Sequence, residues 1–503
     1  MKSCCQLLSV KNCIAAGLLL VLAQTGIPVS AKDAVSSPKV TVSDRPIDRA
    51  GRIGVSFAPV VKKVAVSVVT IFSTRTVKLD AAENPFMQDP RLRRFFGGGN
   101  PRMMPSQQGL GSGVIISDDG YILTNHHVVE GADSDGVKVA LFGDETKYSA
   151  KIVGSDPQTD IAILKIDGKK LTPITFGDSE QLEVGDVVLA VGNPFGVGQS
   201  VSMGIISALG RGFGILGRDG YEDFIQTDAP INPGNSGGAL VDVEGRLVGI
   251  SQSIMSGSGA NAGVGFAVPV NLARSIMERL VTDGKVTRGY LGVSIQPVTL
   301  ELAKAFKMTD AVGVLIGDVQ SGTPAAKAGV LEGDVITAVN GKKVADPRHL
   351  RLVVSQIRPQ TKVPLTILRD GKEKTLMVTV GTLPDELASV GSNKPEAEVP
   401  GNDALDGVQV ADLDAQARRL NNIPARVRGA VVTNLEPGSA AAEAGLRPGD
   451  VIVEVERQPV SDADELVRLA SGSKDQRLLL RVWSSDAGGR GTRYIVLNPA
   501  KGK

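Results

Sequence analysis

The sequence predicts a mainly β protein built of several small domains, and three observations carry that expectation. Short runs rich in Val and Ile recur between Gly- and Asp-containing turns from Gly111 onward. Glycine is abundant, at 59 of 503 residues, while aromatics make up only 4%, a balance that fits many small β-rich units better than large helical bundles. Near the C-terminus, Gly313, Gly329, Gly333, Asp334, Val335 and Ile336 recur as Gly429, Gly445, Gly449, Asp450, Val451 and Ile452, each pair 116 residues apart. Two copies of one small domain are the economical reading. A chain of this length exceeds one ordinary core and fits roughly two to four domains.

Met1 to Ala31 reads as a secretory signal, with Lys2 and Lys11 ahead of or within a basic start, an apolar core Ile14–Ala23 and small residues Val29-Ser30-Ala31 before Lys32. The apolar core is too short to span a bilayer, which needs about 20 residues. An uncleaved anchor is the competing reading. All three cysteines (Cys4, Cys5, Cys13) lie inside this segment. The mature chain then has no disulfide, no thiol nucleophile and no thiolate metal site, which fits a bacterial envelope compartment. With 55 basic and 54 acidic residues, the balance gives no footprint of a nucleic-acid or membrane-surface binder. No later stretch is long and apolar enough to cross a membrane, so no integral membrane segment is expected in the mature protein.

Residues 32–54 are polar and read as a flexible lead-in. Val55 to Phe72 holds helix-like and strand-like pieces that periodicity does not separate. Residues 79–110 read as a long loop, in which Arg91, Arg93 and Arg94 beside Phe95 and Phe96 fit a lid or assembly element. Gly109, Gly111 and Gly113 fit a strand entry. Val114–Ile116 and Tyr121–Leu123 flank Asp118-Asp119-Gly120, a hairpin signal. Further strands are expected at Val137–Leu141, Tyr148–Val153, Ile161–Ile166, Val187–Val191, Val201–Leu209, Phe224–Thr227, Ala239–Val241, Leu247–Ser251 and Gly263–Val268. That spacing argues for a β-barrel or sandwich. A helix capped by Asn271, with Leu272, Ile276 and Leu280 on one face, ends at Gly284. Leu383 to Ala404 is rich in Pro and acids and reads as an extended linker.

The chemistry centres on Asp228–Leu240, where Ser236 sits among Gly234, Gly237 and Gly238 with Asn235 before it. A nucleophilic serine needs an exposed hydroxyl at a sharp turn and N–H groups converging on the oxyanion. A plain Gly-rich turn is the bland alternative. A base is needed, and the chain has only three histidines: His126, His127 and His349. The pair follows an expected strand in TNHHVV. The orienting acid should be a carboxylate at a strand mouth, as Asp160 is before Ile161-Ala162-Ile163-Leu164, with Asp156 a weaker candidate. The order His, Asp, Ser within about 110 residues is the chymotrypsin-like order.

TNHHVV, SDPQTDIAILKI, VGNPFG, FIQTDAPINPGNSGGAL and GVGFAVP together resemble the Do-like, high-temperature-requirement (HtrA/Deg) family of envelope serine proteases, and the repeats resemble its paired PDZ domains. The resemblance covers essentially the whole mature chain. It implies a chymotrypsin-like double β-barrel protease domain (55–284) followed by a first PDZ domain (285–382), the linker (383–404) and a second PDZ domain (405–498). It selects His127 as base, Asp160 as acid and Ser236 as nucleophile, with an oxyanion hole of N–H groups at Gly234 and Ser236 around Asn235. It implies that the loop Leu209–Tyr221 senses activators and that Gln252–Gly265 shapes a specificity pocket for small aliphatic side chains. Ser253–Gly265 has no acid to attract Lys or Arg. RGYLGV (Arg288, Gly289, Tyr290, Leu291, Gly292, Val293) becomes the first PDZ domain's peptide-carboxylate loop. Position 126 is usually not histidine in the family. The second PDZ domain offers only GVQV at 407–410, which leaves peptide binding and an assembly role both open there.

The function so implied is ATP-independent serine endoproteolysis of unfolded or misfolded envelope polypeptides in the periplasm, by a trimer or its multiples, with no cofactor and no metal. No GxxxxGK[ST] loop is present. A holdase chaperone with minor proteolysis is the alternative of a different class. A scaffold with a dead protease domain is a third reading, opposed by the intact triad.

Overall fold

Val68–Thr76 (β1), Ser106–Ile115 (β2), Tyr121–Thr124 (β3), Val137–Ala140 (β4), Lys147–Asp156 (β5) and Ile161–Ile166 (β6) pair in the order β1-β2-β3-β6-β5-β4, and β4 returns to β1 to close a barrel. This arrangement is seen in a computed structural model that describes residues 56–76, 106–144, 146–193, 198–217, 220–254, 262–384, 402–405, 407–471, 477–485 and 491–498. All of them belong to one unit, Arg49–Lys503. The signal segment, the lead-in up to residue 55 and the loop residues 77–105 lie outside the described residues.

Alternation decides which way each side chain points. In β4, Val137 and Val139 are buried while Lys138 is exposed, the period of 2 expected of a half-buried strand. In β6 the run Ile161–Leu164 is buried on both faces. Ala162 and Leu164 join the barrel's own core with Val69, Ile71 and Ile122. Ile161 and Ile163 point the other way, into a second cluster with Leu189, Val191 and Phe266.

That second cluster is the seam with the next barrel. Thr175–Phe176 (β7), Val187–Gly192 (β8), Ser200–Arg211 (β9), Phe224–Thr227 (β10), Ala239–Asp242 (β11), Arg246–Ile254 (β12) and Gly265–Pro269 (β13) form a sheet ordered β11-β8-β9-β10-β13-β12-β7, which an extra β11–β12 pairing closes. The helix Val270–Asp283 lays Leu272, Ala273, Ile276 and Leu280 onto the seam, and Gly284 ends it in the left-handed region at φ 69°. Each fully buried aliphatic side chain there contributes roughly 1.5–3 kcal/mol.

Two expectations need correction here, and one open reading is decided. Ser106–Leu110 is not loop: it pairs with Phe72–Thr76, because β1 is long enough to carry the ladder past Gly111. Val55–Phe72 resolves into a helix, Ala58–Ala65, and the start of β1. Asn271 does not cap the long helix; Pro269 holds that position, and the Asn271 amide donates instead to Asp178 (2.7 Å).

The repeat appears as two matching sheets. Gly289–Tyr290 (β14) pairs with Gly381–Thr382 (β21), apart from a six-stranded sheet built from Val293–Pro297 (β15), Val314–Val319 (β16), Val335–Val339 (β17), Lys342–Lys343 (β18), Lys362–Arg369 (β19) and Lys372–Thr379 (β20). Asn402–Leu405 (β22), Val408–Asp412 (β23), Ala430–Leu435 (β24), Val451–Val455 (β25), Gln458–Pro459 (β26), Leu478–Ser484 (β27) and Gly491–Leu497 (β28) form the second. The helices Pro347–Gln356 and Ala463–Ser471 start at the repeat offset and cover the two cores with Leu350 and Leu466. The expected linker therefore stops short: its last residues are strand β22. Its residues 385–401 lie outside the described ones.

The two repeat units are fastened to each other through β28. The Gln296 amide donates to the Tyr494 carbonyl (2.9 Å) and accepts from the Tyr494 N–H (2.7 Å). The Tyr494 ring meets Phe306 edge-on, with centroids 5.2 Å apart. Burial pushes the Tyr494 phenol up to about 12.

Candidate active site

Tyr121–Thr124 delivers the chain to a single helical turn, His126–Val129, anchored by buried Val128 and Val129. Asp160 closes the turn before β6 in the left-handed region, at φ 57°, a conformation that Asp tolerates better than bulky residues. Its backbone carbonyl accepts from the His126 N–H (3.1 Å) and the Asn125 side-chain amide (3.0 Å). Its carboxylate accepts from the His127 N–H (2.9 Å) and lies 2.7 Å from His127 Nδ1. Two oxygens thus grip one residue, by backbone and by ring. The Asp160 side chain is 4% exposed and the His127 side chain 42%, so the acid is shielded while the imidazole stays reachable.

His126 points elsewhere. Its Nε2 is 3.7 Å from Glu130, and its Nδ1 is buried without a hydrogen-bond partner among the described residues. Asp156, the weaker acid candidate, is not beside His127. It accepts from Thr159 Oγ1 (2.5 Å) and from the Arg288 guanidinium (2.6 and 2.8 Å).

The serine turn is tied from the other barrel. Ser112, fully buried in β2, donates its N–H to the Ser236 carbonyl (2.7 Å) and its hydroxyl to the Gly234 carbonyl (2.7 Å). The same hydroxyl accepts from the Asn193 N–H (2.9 Å). The Asn235 carbonyl accepts from Gly238, and the Asn235 N–H donates to the Asn232 carbonyl. The carbonyls of Gly234, Asn235 and Ser236 are therefore all engaged. The N–H groups of Gly234 and Ser236 have no acceptor among the described residues, as an oxyanion site requires. Gly237 (φ 83°) admits no side chain: a Cβ would lie 2.1 Å from the Ser112 carbonyl and 2.3 Å from Thr124 Oγ1. That crowding also sets the serine turn directly against the strand that leads to His127.

The Ser236 hydroxyl donates to the Gln252 carbonyl (2.9 Å), and no hydrogen bond joins it to His127 among the described residues. The structure thus brings His127 to Asp160 and places Ser236 on the adjoining turn in a rotamer aimed at β12.

In the loop Leu209–Tyr221, of which 218–219 lie outside the described residues, the N–H groups of Phe213 (2.6 Å), Gly214 (2.8 Å) and Leu216 (2.6 Å) donate to the buried Glu222 carboxylate. Arg348, from the first repeat unit, donates to the carbonyls of Glu222 (2.6 Å) and Gly210 (2.5 Å). Burial raises the neighbouring Asp223 carboxyl against the pull of Arg348. Of the expected specificity segment, residues 255–261 lie outside the described ones.

Of the residues in RGYLGV, Arg288 is buried against Asp156 and stacks 4.6 Å from the Tyr221 ring. Gly289 and Tyr290 form β14, and the Tyr290 hydroxyl donates to Gln320 (2.9 Å). Leu291 is buried in the unit's core, and the Gly292 carbonyl accepts from the Gln320 N–H (3.0 Å). The N–H groups of Leu291 and Gly292 have no acceptor among the described residues, and Val293 opens β15. Ser112, Asn125 and Asn193 were not singled out from sequence. Their position inside or beside recognisable motifs (GSG, TNHH, VGNPFG) was the available signal.

Among the described residues no group of His, Cys, Asp and Glu is arranged to hold a metal ion. No described helix is long and apolar enough to cross a membrane.

Residues 111–250 match the trypsin-like peptidase domain family, and residues 289–380 and 431–484 each match the PDZ domain family. A probable periplasmic serine endoprotease, DegP-like, from Chlamydia trachomatis is 44% identical over 423 residues, covering 82% of this chain and 81% of the relative. One of the same description from Rhizobium meliloti is 36% identical over 98% of this chain and its own full length. Among solved structures, the HtrA-type protease AlgW with decapeptide is 44% identical with a TM-score of 0.52, covering 66% of this chain and 99% of that one. AlgW with tripeptide has a TM-score of 0.53 at 42% identity, covering 65% and 98%. A trypsin-like double barrel, two PDZ domains and relatives matched along most of their length leave one assignment: this chain belongs to the DegP-like, HtrA-type family of serine endoproteases.

Proposed function

We propose that His127, Asp160 and Ser236 carry peptide-bond hydrolysis and that the chain acts on unfolded or misfolded polypeptides of the bacterial envelope. The observation that carries this reading is the double grip of Asp160 on His127. The short Nδ1 contact holds the imidazole in the tautomer that leaves Nε2 free to accept a proton. Ser236 turns about its Cα–Cβ bond from the Gln252 carbonyl to His127 and attacks the scissile carbonyl, and His127 takes its proton. The oxyanion settles on the N–H groups of Gly234 and Ser236, with Asn235 between them held out of the way by Asn232. His127 then returns the proton to the leaving amine, and water releases the acyl group by the reverse use of the same base. The step needs no cofactor and no nucleotide.

The two PDZ units frame this chemistry. Leu291 and Gly292 present free N–H groups beside the open edge of β15, which suits capture of a substrate's C-terminal carboxylate with strand addition. The protease domain spans 55–284, the first PDZ domain 285–382, and the second runs from the β22 hairpin to residue 498. Export by a signal cleaved after Ala31, a periplasmic location like that in the relatives' names, and assembly as a trimer or its multiples complete the reading. The test is degradation of unfolded casein by the mature chain and by Ser236→Ala. Loss of cleavage in the variant is expected; equal degradation by both overturns the assignment.

A further inference from the structure

A PDZ peptide site has three parts: a loop whose N–H groups catch a chain terminus, a strand with a free edge, and a helix alongside. A ligand whose carboxylate sits at the loop before the strand must run antiparallel to that strand, its last residue beside the strand's first. In the first PDZ domain, β15 pairs with β16 on one side, and its other edge carries no strand among the described residues. In the second, the counterpart strand is β23 and the counterpart helix Ala463–Ser471. There the edge is taken. Asn402–Leu405 pairs antiparallel with β23, with Asn402 opposite Val410, Asp403 opposite Gln409 and Leu405 opposite Val408, and it lies against the helix.

Direction and end point both match those of a bound terminus. The last residue of β22, Leu405, stands beside the first residue of β23. Its side chain packs on the cluster that includes Val408, Val410, Ala463, Leu466 and Ala470, where a ligand's terminal apolar side chain would lodge. The local sequence explains the difference between the two domains. The first reads Leu291-Gly292 before its strand, and the preceding β14 pairs away from it with β21. The second reads Asp406-Gly407, the strongest kind of two-residue hairpin signal, and Gly407 is left-handed at φ 75°.

We propose that Asn402–Leu405 is a built-in ligand of the second PDZ domain, so that external chain ends are captured by the first domain alone. This rests on the reading that these domains capture chain ends. A strand whose last residue, Leu405, lies only three positions before its partner Val408 acts at an effective concentration on the order of millimolar or above. A free peptide present at micromolar levels must therefore bind about a thousandfold more tightly than the tethered strand to displace it.

The test uses the mature chain with Ser236→Ala, so that the probe is not cut, and a decapeptide with a free apolar C-terminus followed by calorimetry. One peptide per chain is expected. Gly407→Val forces a β-branched residue into a left-handed position, where its Cβ would lie 2.9 Å from the Ser439 Cβ, and frees the strand. Two peptides per chain are then expected, with fast amide exchange at 402–405. Two peptides on the parent refute the proposal and leave the capture of chain ends standing, as does one peptide on a Gly407→Val chain whose 402–405 amides exchange fast. No peptide on either chain refutes the capture itself, and the proposal with it. Should Gly407→Val fail to fold, Asp403→Cys with Gln409→Cys locks the hairpin in a mature chain that has no other cysteine. Peptide stoichiometry and affinity unchanged by oxidation support the proposal, and a stoichiometry that falls on oxidation refutes it.

Discussion

Removing one buried hydroxyl, Ser112→Ala, should cost this enzyme more in turnover than in substrate binding. The hydroxyl sits between two backbone groups, donating to the Gly234 carbonyl (2.7 Å) and accepting from the Asn193 N–H (2.9 Å). Alanine leaves the buried Gly234 carbonyl and the part-buried Asn193 N–H without this partner. Each buried orphan costs about 1–3 kcal/mol. The cheapest relief is rotation of the Gly234–Asn235 peptide, which disturbs the aim of the flanking N–H groups at Gly234 and Ser236. Loss of one oxyanion donor lowers kcat by about 10²–10³ in comparable sites. The expected result is therefore a kcat lower by about 10²-fold, with KM changed by no more than about twofold, because the ground-state carbonyl makes less use of those donors. A fluorogenic peptide with a small aliphatic residue before the scissile bond reads both constants. A peptide aldehyde, which forms a tetrahedral adduct, should lose affinity in step with kcat. Unchanged kcat in a variant whose Tm has fallen would show that Ser112 serves packing alone.

Other expectations follow from the same geometry. His127→Ala should abolish casein cleavage while His126→Ala keeps it, since only the His127 ring reaches the Asp160 carboxylate; loss in the second variant alone would reverse the base assignment. Asp160→Asn should lower kcat by about 10⁴ by releasing the wrong tautomer, read in the same peptide assay. Arg288→Ala removes the only cation paired with the buried Asp156 among the described residues, leaving it with Thr159, and should destabilise the folded chain by about 3–5 kcal/mol, measured by denaturant unfolding. Replacing both partners by apolar residues should recover most of that loss. The phenol of Tyr494 is raised by burial, so the folded state holds its proton more tightly than the unfolded chain does. Its contribution is complete below pH 10 and is lost as pH rises through about 12. An absorbance titration should lose its latest-titrating tyrosine in Tyr494→Phe.

Much of the site was legible because its chemistry is written in short motifs. Scarcity of histidine narrowed the base, and the apolar run after Asp160 marked an acid that needed a partner. Most strands of both barrels fell where turns and β-branched runs placed them, but β7 and the first half of β2 did not. What escaped depends on contacts between residues far apart in the chain. Ser112 looks like an ordinary small residue in a Gly-rich strand until Gly234, more than a hundred positions later, lands on its hydroxyl. Arg288 read as part of a peptide loop, but the fold turns its guanidinium onto Asp156. Asn271 had the chemistry of a helix cap, yet Asp178 offered its amide a better partner. The rotamer of Ser236 is a choice among staggered wells that no local pattern encodes. The Asp406-Gly407 dipeptide is a local hairpin signal in plain view, next to Pro-rich, acidic residues that read as linker.

Reaction of the mature chain with a fluorophosphonate, followed by mapping of the modified peptide, tests the central claim most directly. Phosphonylation needs an activated serine and a competent oxyanion site at once. Label on Ser236 alone, lost in His127→Ala, is the expected result. Label on another serine, or undiminished label on Ser236 without His127, would contradict the triad on which the account is built.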